Sequence, residues 1–173
     1  ALTEADLAAF LDGMVPVEMA RADIAGVGIA VVKDGRVLLT RGYGMADVAA
    51  RRPVTPEGTL FRIGSVSKLF TWMAVMQLEE QGKLDLDADV QRYLDFQLRS
   101  PELGPVTLRQ LMTHRGGFEE TISGLWAQPG EDMSLRDYLV RHQPQRIFAP
   151  GTVSAYSNYG TTLAAYVVER ISG

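Results

Sequence analysis

The chain has 173 residues (19.0 kDa), 46% hydrophobic and 22% charged, which is about one domain or one domain plus a piece of another. A net charge of −4 with no basic block argues against nucleic-acid binding by phosphate neutralisation. Cysteine is absent, so disulfides, thiolate catalysis and Cys-ligated zinc fall away, and His114 and His142 alone do not make a His-rich metal site.

In chain order, Thr3 with Asp6 three residues on reads as a helix N-cap with an acidic first turn. An amphipathic stretch follows from Leu7 to Ala22, with Gly13 and Pro16 as possible breaks. Val27 to Val32 and Val37 to Tyr43 are strand-like runs, and the Asp34-Gly35 pair between them predicts a hairpin. Asp47 to Gly58 reads as a loop. Ser65 to Gln81 is the best helix of the sequence, closed by Gly82. Its stretch from Leu69 to Met76 is apolar on nearly every face, which predicts burial on all sides, with Trp72, Met73 and Met76 in the core.

From Leu84 to Pro105 the pattern is irregular, with a short helix around Val90 to Tyr93. Thr107 and Ser134 are plausible caps of short helices reaching Met112 and His142, the latter a helix-end residue. Gly116-Gly117 and Pro129-Gly130 mark loops, and a last helix runs from about Tyr159 to Ile171. Glu79-Glu80 and Glu119-Glu120 read as solvated acidic pairs, and Lys33 and Lys83 as solvent-facing turn residues. No apolar run reaches the roughly 18 residues of a membrane span. The first residues read as a mature or trimmed N-terminus from which an export signal could have been removed. The expected location is therefore periplasmic or secreted, with a cytoplasmic one as the alternative.

Two short motifs carry candidate chemistry. In Ser65-Val66-Ser67-Lys68 a serine and a lysine stand three apart at a helix start, a spacing that puts both on one face. The amine can reach the hydroxyl, and the helix N-terminus favours a developing alkoxide. Apolar surroundings would favour the neutral amine that accepts a proton. The plain alternative is a serine cap and a surface cation. With 3 Lys and 8 Ser in the chain, chance gives ~0.14 such pairs, and the abundant arginines could not serve because they keep their protons.

The second motif is Tyr156-Ser157-Asn158. A tyrosine placed by the serine can relay its proton, and an asparagine offers both a donor and an acceptor. Its plain alternative is a loop tyrosine with Asn158 capping the last helix. Asn158 is the only asparagine in the chain, and a tyrosine two before it arises by chance ~0.03 of the time. Together the motifs favour chemistry over accident.

The stretch Phe61-Arg62-Ile63-Gly64-Ser65-Val66-Ser67-Lys68-Leu69-Phe70 resembles the active-site helix of class C β-lactamases, DD-peptidases and related esterases. Gln81 to Asp87, Leu111-Met112-Thr113-His114, and Pro150-Gly151 leading to Tyr156-Ser157-Asn158-Tyr159-Gly160 resemble further stretches of that family, in order. The resemblance covers essentially the whole chain. It implies an α+β, β-lactamase/transpeptidase-like fold, with an antiparallel sheet flanked by helices plus a helical region. It divides the chain into residues 1–60, a helix and hairpin, and 61–173, the active-site helix, helical region and tyrosine motif.

By this match Ser65 is the acylated nucleophile, Lys68 its activator, Tyr156 the general base and Asn158 a substrate-positioning residue. The family's Thr-Ser-Gly after the histidine is replaced by Arg115-Gly116-Gly117, which predicts a local loop change. The family's later Lys-Thr-Gly strand, which brings a second oxyanion-hole N–H beside that of Ser65, has no counterpart after Tyr156 in these residues. The sheet is therefore expected to be incomplete, and the chain to be an N-terminal piece, either cut from a longer protein or a nicked product completed by a second, C-terminal polypeptide.

The expected activity is a serine hydrolase acting through an acyl-enzyme on a β-lactam, a D-Ala-D-Ala peptide or a small ester, with the lean towards an esterase or peptidase-like enzyme. No metal and no cofactor is implied, and a homo-oligomer stays possible. The alternatives are a non-catalytic binding or regulatory domain of the same fold, an inactive fragment that needs a C-terminal partner, or a Ser/Lys amidase of unrelated fold that would not need Tyr156.

Overall fold

In the computed structural model, which describes residues 2–122, 124, 126, 130 and 132–173, Thr3 caps the first helix by accepting from Asp6 N–H. That helix, α1 (Glu4–Ala22), runs unbroken through Gly13 and Pro16. Packing outweighs both breakers. Leu11, Val15 and Met19, four residues apart, form one buried stripe against Leu39, with Val27, Ile29 and Tyr43 around it. Asp12, one turn before Pro16, accepts from Tyr43 OH at 2.7 Å and from Arg41. Asp23 ends the helix in the left-handed region.

Strands β1 (Gly26–Lys33) and β2 (Arg36–Asp47) form the expected antiparallel hairpin. Asp34 and Gly35 both have positive φ, the geometry of the two-residue turn that matches strand twist. β2 runs four residues past Tyr43, because Gly44 still pairs with Gly26 and Met45 pairs with Pro53. The segment read as a loop thus contributes a two-residue strand, β3 (Arg52–Pro53), and the sheet order is β1-β2-β3. Gly44 is required: its φ is 68°, and a Cβ there would lie 2.2 Å from Ala25 O. These elements make one compact unit, residues 1–62.

Residues 63–173 make the second. Gly64–Ser67 is one 3₁₀ turn, and α2 (Lys68–Glu80) follows it. The helix therefore begins three residues later than the sequence suggested. Gly82, at φ 67°, closes it with Lys83 N–H donating to Leu78 O and Gly82 N–H to Glu79 O. Val90–Tyr93 and Pro101–Leu103 are further 3₁₀ turns. Helix α3 (Leu108–Met112) starts with a reciprocal cap between Thr107 and Gln110, and α4 (Leu135–Arg141) starts at Ser134 and ends at His142. Pro129 of the expected Pro129-Gly130 loop lies outside the described residues.

The last helix, α5 (Asn158–Ser172), is the spine of this unit. Tyr159, Leu163 and Val167 recur at helical spacing and meet Val75 and Leu78 of α2, Leu108 and Leu111 of α3, and Leu139 of α4. Tyr159 OH donates to Leu139 O, and its ring packs on Phe118.

The expectation that α2 is buried all round is corrected here. Only Val75 and Leu78 are buried, Trp72 is half-buried, and Leu69, Phe70, Met73 and Met76 are 57%, 65%, 59% and 43% exposed. Within its unit α2 is covered from the α5 side, so the apolar residues pointing elsewhere have no partner surface among the described residues of this unit. No described helix is long and apolar enough to cross a membrane.

Candidate active site

Gly64, at φ 53°, turns the chain into the 3₁₀ turn that carries Ser65. In such a turn residues three apart eclipse, which brings Lys68 over Ser65 more directly than an α-helical start would. Lys68 Nζ donates to Ser65 Oγ at 3.0 Å. Ser65 is exposed and Lys68 half-buried.

Tyr156 reaches the same oxygen from 91 residues away, its hydroxyl donating to Ser65 Oγ at 2.6 Å. The segment that holds it is pinned by His114. The His114 carbonyl accepts from Ala155 N–H at 2.7 Å, and its Nδ1 accepts from Ser157 N–H at 3.2 Å. The His114 and Tyr156 rings pack with centroids 4.4 Å apart and planes tilted by 34°. His114 adopts positive φ, and Gly117, at φ 80°, passes so close to Phe148 O that a Cβ there would lie 2.1 Å from it. The Arg115-Gly116-Gly117 stretch thus forms a tight loop that presents the histidine.

Because Nδ1 accepts, the neutral imidazole carries its proton on Nε2. Burial holds His114 below the usual histidine range; the Lys68 charge pushes the same way and Glu120 opposes. Protonation at Nδ1 would set an N–H against that of Ser157.

Asn158 is the first residue of α5, and the cap is Ser157, whose Oγ accepts from Gly160 N–H. The plain reading of Asn158 as the cap is thereby replaced. Its Oδ1 accepts from Lys68 Nζ at 2.7 Å. On its other side Glu120 accepts from Asn158 N–H at 2.9 Å and from Asn158 Nδ2 at 2.7 Å. Glu120 is exposed, as expected, and its carboxylate is at the same time held at a helix N-terminus, a position where negative charge is favoured.

All four residues singled out from sequence, Ser65, Lys68, Tyr156 and Asn158, fall in one hydrogen-bonded cluster. Lys68 Nζ also lies 4.9 Å from the centre of the Tyr156 ring. Lys68 first, and then Ser65, hold the Tyr156 phenol below its usual 10, against burial and Glu120. Chemically, the cluster offers a hydroxyl between a cation and a phenol whose proton is easier to remove than in water. His114 and Glu120 were not singled out. The Leu-Met-Thr-His stretch carried a signal for the first, whereas nothing local marks Glu120.

Comparison with known proteins gives a consistent picture. A family profile described as Beta-lactamase matches residues 11–173. Esterase EstB of Burkholderia gladioli is 34% identical over 192 residues, spanning 99% of this chain and 47% of that protein. A β-lactamase of Yersinia enterocolitica is 35% identical over 174 residues, spanning 98% and 42%. Among solved structures, an octameric penicillin-binding protein homologue from Pyrococcus abyssi superimposes with a TM-score of 0.78 at 29% identity, over 95% of this chain and 39% of that one. A class C β-lactamase in complex with cefoxitin gives 0.76 at 27%, over 98% and 46%. The chain spans less than half the length of each of these proteins.

Proposed function

Because this chain belongs to the β-lactamase family, we propose that it carries the acylating half of a serine hydrolase, with Ser65 as nucleophile. The observation behind this reading is a single oxygen, Ser65 Oγ, within hydrogen-bond distance of both Lys68 Nζ and the Tyr156 hydroxyl. As phenolate, Tyr156 takes the Ser65 proton while Oγ bonds to the acyl carbon. It then returns that proton to the leaving group as the carbonyl re-forms, leaving an acyl-serine that water hydrolyses. Lys68 lowers the cost of the phenolate and, donating to Ser65 Oγ, steadies the developing negative charge. Asn158 holds the ammonium in place through its Oδ1.

The acyl donor in this proposal is a β-lactam, a D-Ala-D-Ala peptide or a small ester, with small esters and peptides first. The 34% identical relative named an esterase supports the former, although a relative named a β-lactamase stands equally near. In this proposal a second oxyanion donor would come from a C-terminal polypeptide. The absence of one such donor costs about 10²–10³ in rate, so slow acylation is expected of the 173 residues alone.

Intact-mass spectrometry after exposure to a fluorophosphonate, and separately to a penicillin, tests the proposal. A single covalent adduct on Ser65, absent from Ser65→Ala, is expected. No adduct, even with the C-terminal polypeptide added, would favour the non-catalytic binding domain instead.

A further inference from the structure

We propose that Glu120 is a positioning residue of this site: its carboxylate sets which way the Asn158 amide faces and thereby keeps Lys68 against Ser65. The effect on rate rests on the acyl-transfer reading; the grip on Asn158 does not. A carboxylate only accepts hydrogen bonds and an ammonium only donates them, whereas an amide has one end of each kind. Glu120 accepts from the backbone N–H of Asn158 with one oxygen and from Nδ2 with the other. This two-point hold leaves Oδ1 facing the opposite way, where it accepts from Lys68 Nζ at 2.7 Å. Turned over, the amide would set its oxygen against a carboxylate and its N–H groups against an ammonium. Both ends would then be repulsive, and Lys68 would lose the acceptor that holds it 3.0 Å from Ser65 Oγ.

The arrangement also bears on Tyr156, since Lys68 is the first cause of its lowered pKa. Glu120 therefore acts on the base at two removes, through Asn158 and then Lys68. Hydrogen bonds between charged groups and amides are the stronger class, which makes a chain of them an effective means of fixing a rotamer. Asn158 accordingly has its carbonyl committed to the enzyme's own lysine and one N–H to Glu120.

Glu120→Gln is the informative variant, being isosteric but having only one accepting terminal atom where the carboxylate uses two. Asn158 is the only asparagine in the chain, so the 173-residue protein labelled with ¹⁵N-asparagine shows one side-chain NH₂ pair and one backbone amide. In Glu120→Gln both signals should shift, and the two side-chain protons should lose part of their separation. Acylation of Ser65 by a fluorophosphonate should slow about tenfold or more. Removing the Glu120 charge by itself would lower the Tyr156 pKa, so an upward move of the pH limb, as Lys68 loosens from Tyr156, is the expected sign and one that neither the lost charge nor a merely structural role would produce.

Unchanged asparagine signals in Glu120→Gln would overturn the proposal whatever the acylation does. Shifted signals with unchanged acylation rate and pH limb would overturn it as well. A parent chain that never acylates, but whose Asn158 signals move in the variant, would sink the acyl-transfer reading and leave the hold on Asn158 standing.

Discussion

A phenol in water keeps its proton to about pH 10, so Tyr156 serves as a base near neutrality only where its surroundings favour the phenolate. Lys68 and Ser65 provide that bias, and Lys68 is the larger cause. The sign follows directly. On the proposed mechanism the phenol is protonated and idle below the folded pKa, and above it the phenolate would accept the serine proton. Acylation should therefore rise with pH along a limb centred below 10. Lys68→Met should move that limb up towards 10, and Tyr156→Phe should remove it while lowering the rate by about 10²–10⁴. Acylation rates measured from pH 6 to 11 on the three proteins check this; a limb indifferent to Lys68 would contradict it.

For the elements, local signals were most legible where one residue's chemistry decides the outcome. Thr3, Thr107 and Ser134 cap their helices, Gly82 ends α2, and Asp34-Gly35 turns the hairpin. Where partners decide, sequence misled. Gly13 and Pro16 looked like breaks in α1, yet the Leu11-Val15-Met19 stripe carries the helix across them. Gly13 itself touches nothing within 4 Å where a Cβ would stand, and its φ is not positive. Gly13→Ala should thus stabilise the first unit by about 0.5–1 kcal/mol, read as a higher denaturation midpoint with the hairpin's circular dichroism unchanged. Ser65 and Lys68 were legible as a pair because they are three residues apart. Glu120 was not, because its partner lies 38 residues away.

On the scale of the molecule, the apolar surface of α2 shows how far composition can be read. Leu69, Phe70, Met73 and Met76 look like core by residue type, but only a neighbouring surface makes apolar residues core. The stabilising contacts of the second unit instead converge on α5, where Leu163 is fully buried. Leu163→Ala should cost about 2–5 kcal/mol, against under ~0.5 kcal/mol for the exposed Phe70→Gln, as measured by chemical denaturation. Tyr156 and Asn158 sit at the mouth of that same helix, and Tyr159, one residue further, is welded to Leu139 and Phe118. If the phenol is held in place only by that spine, warming that loosens the helix should uncouple phenol from hydroxyl in the same event, so loss of labelling at Ser65 and melting of the helical unit should trace one curve.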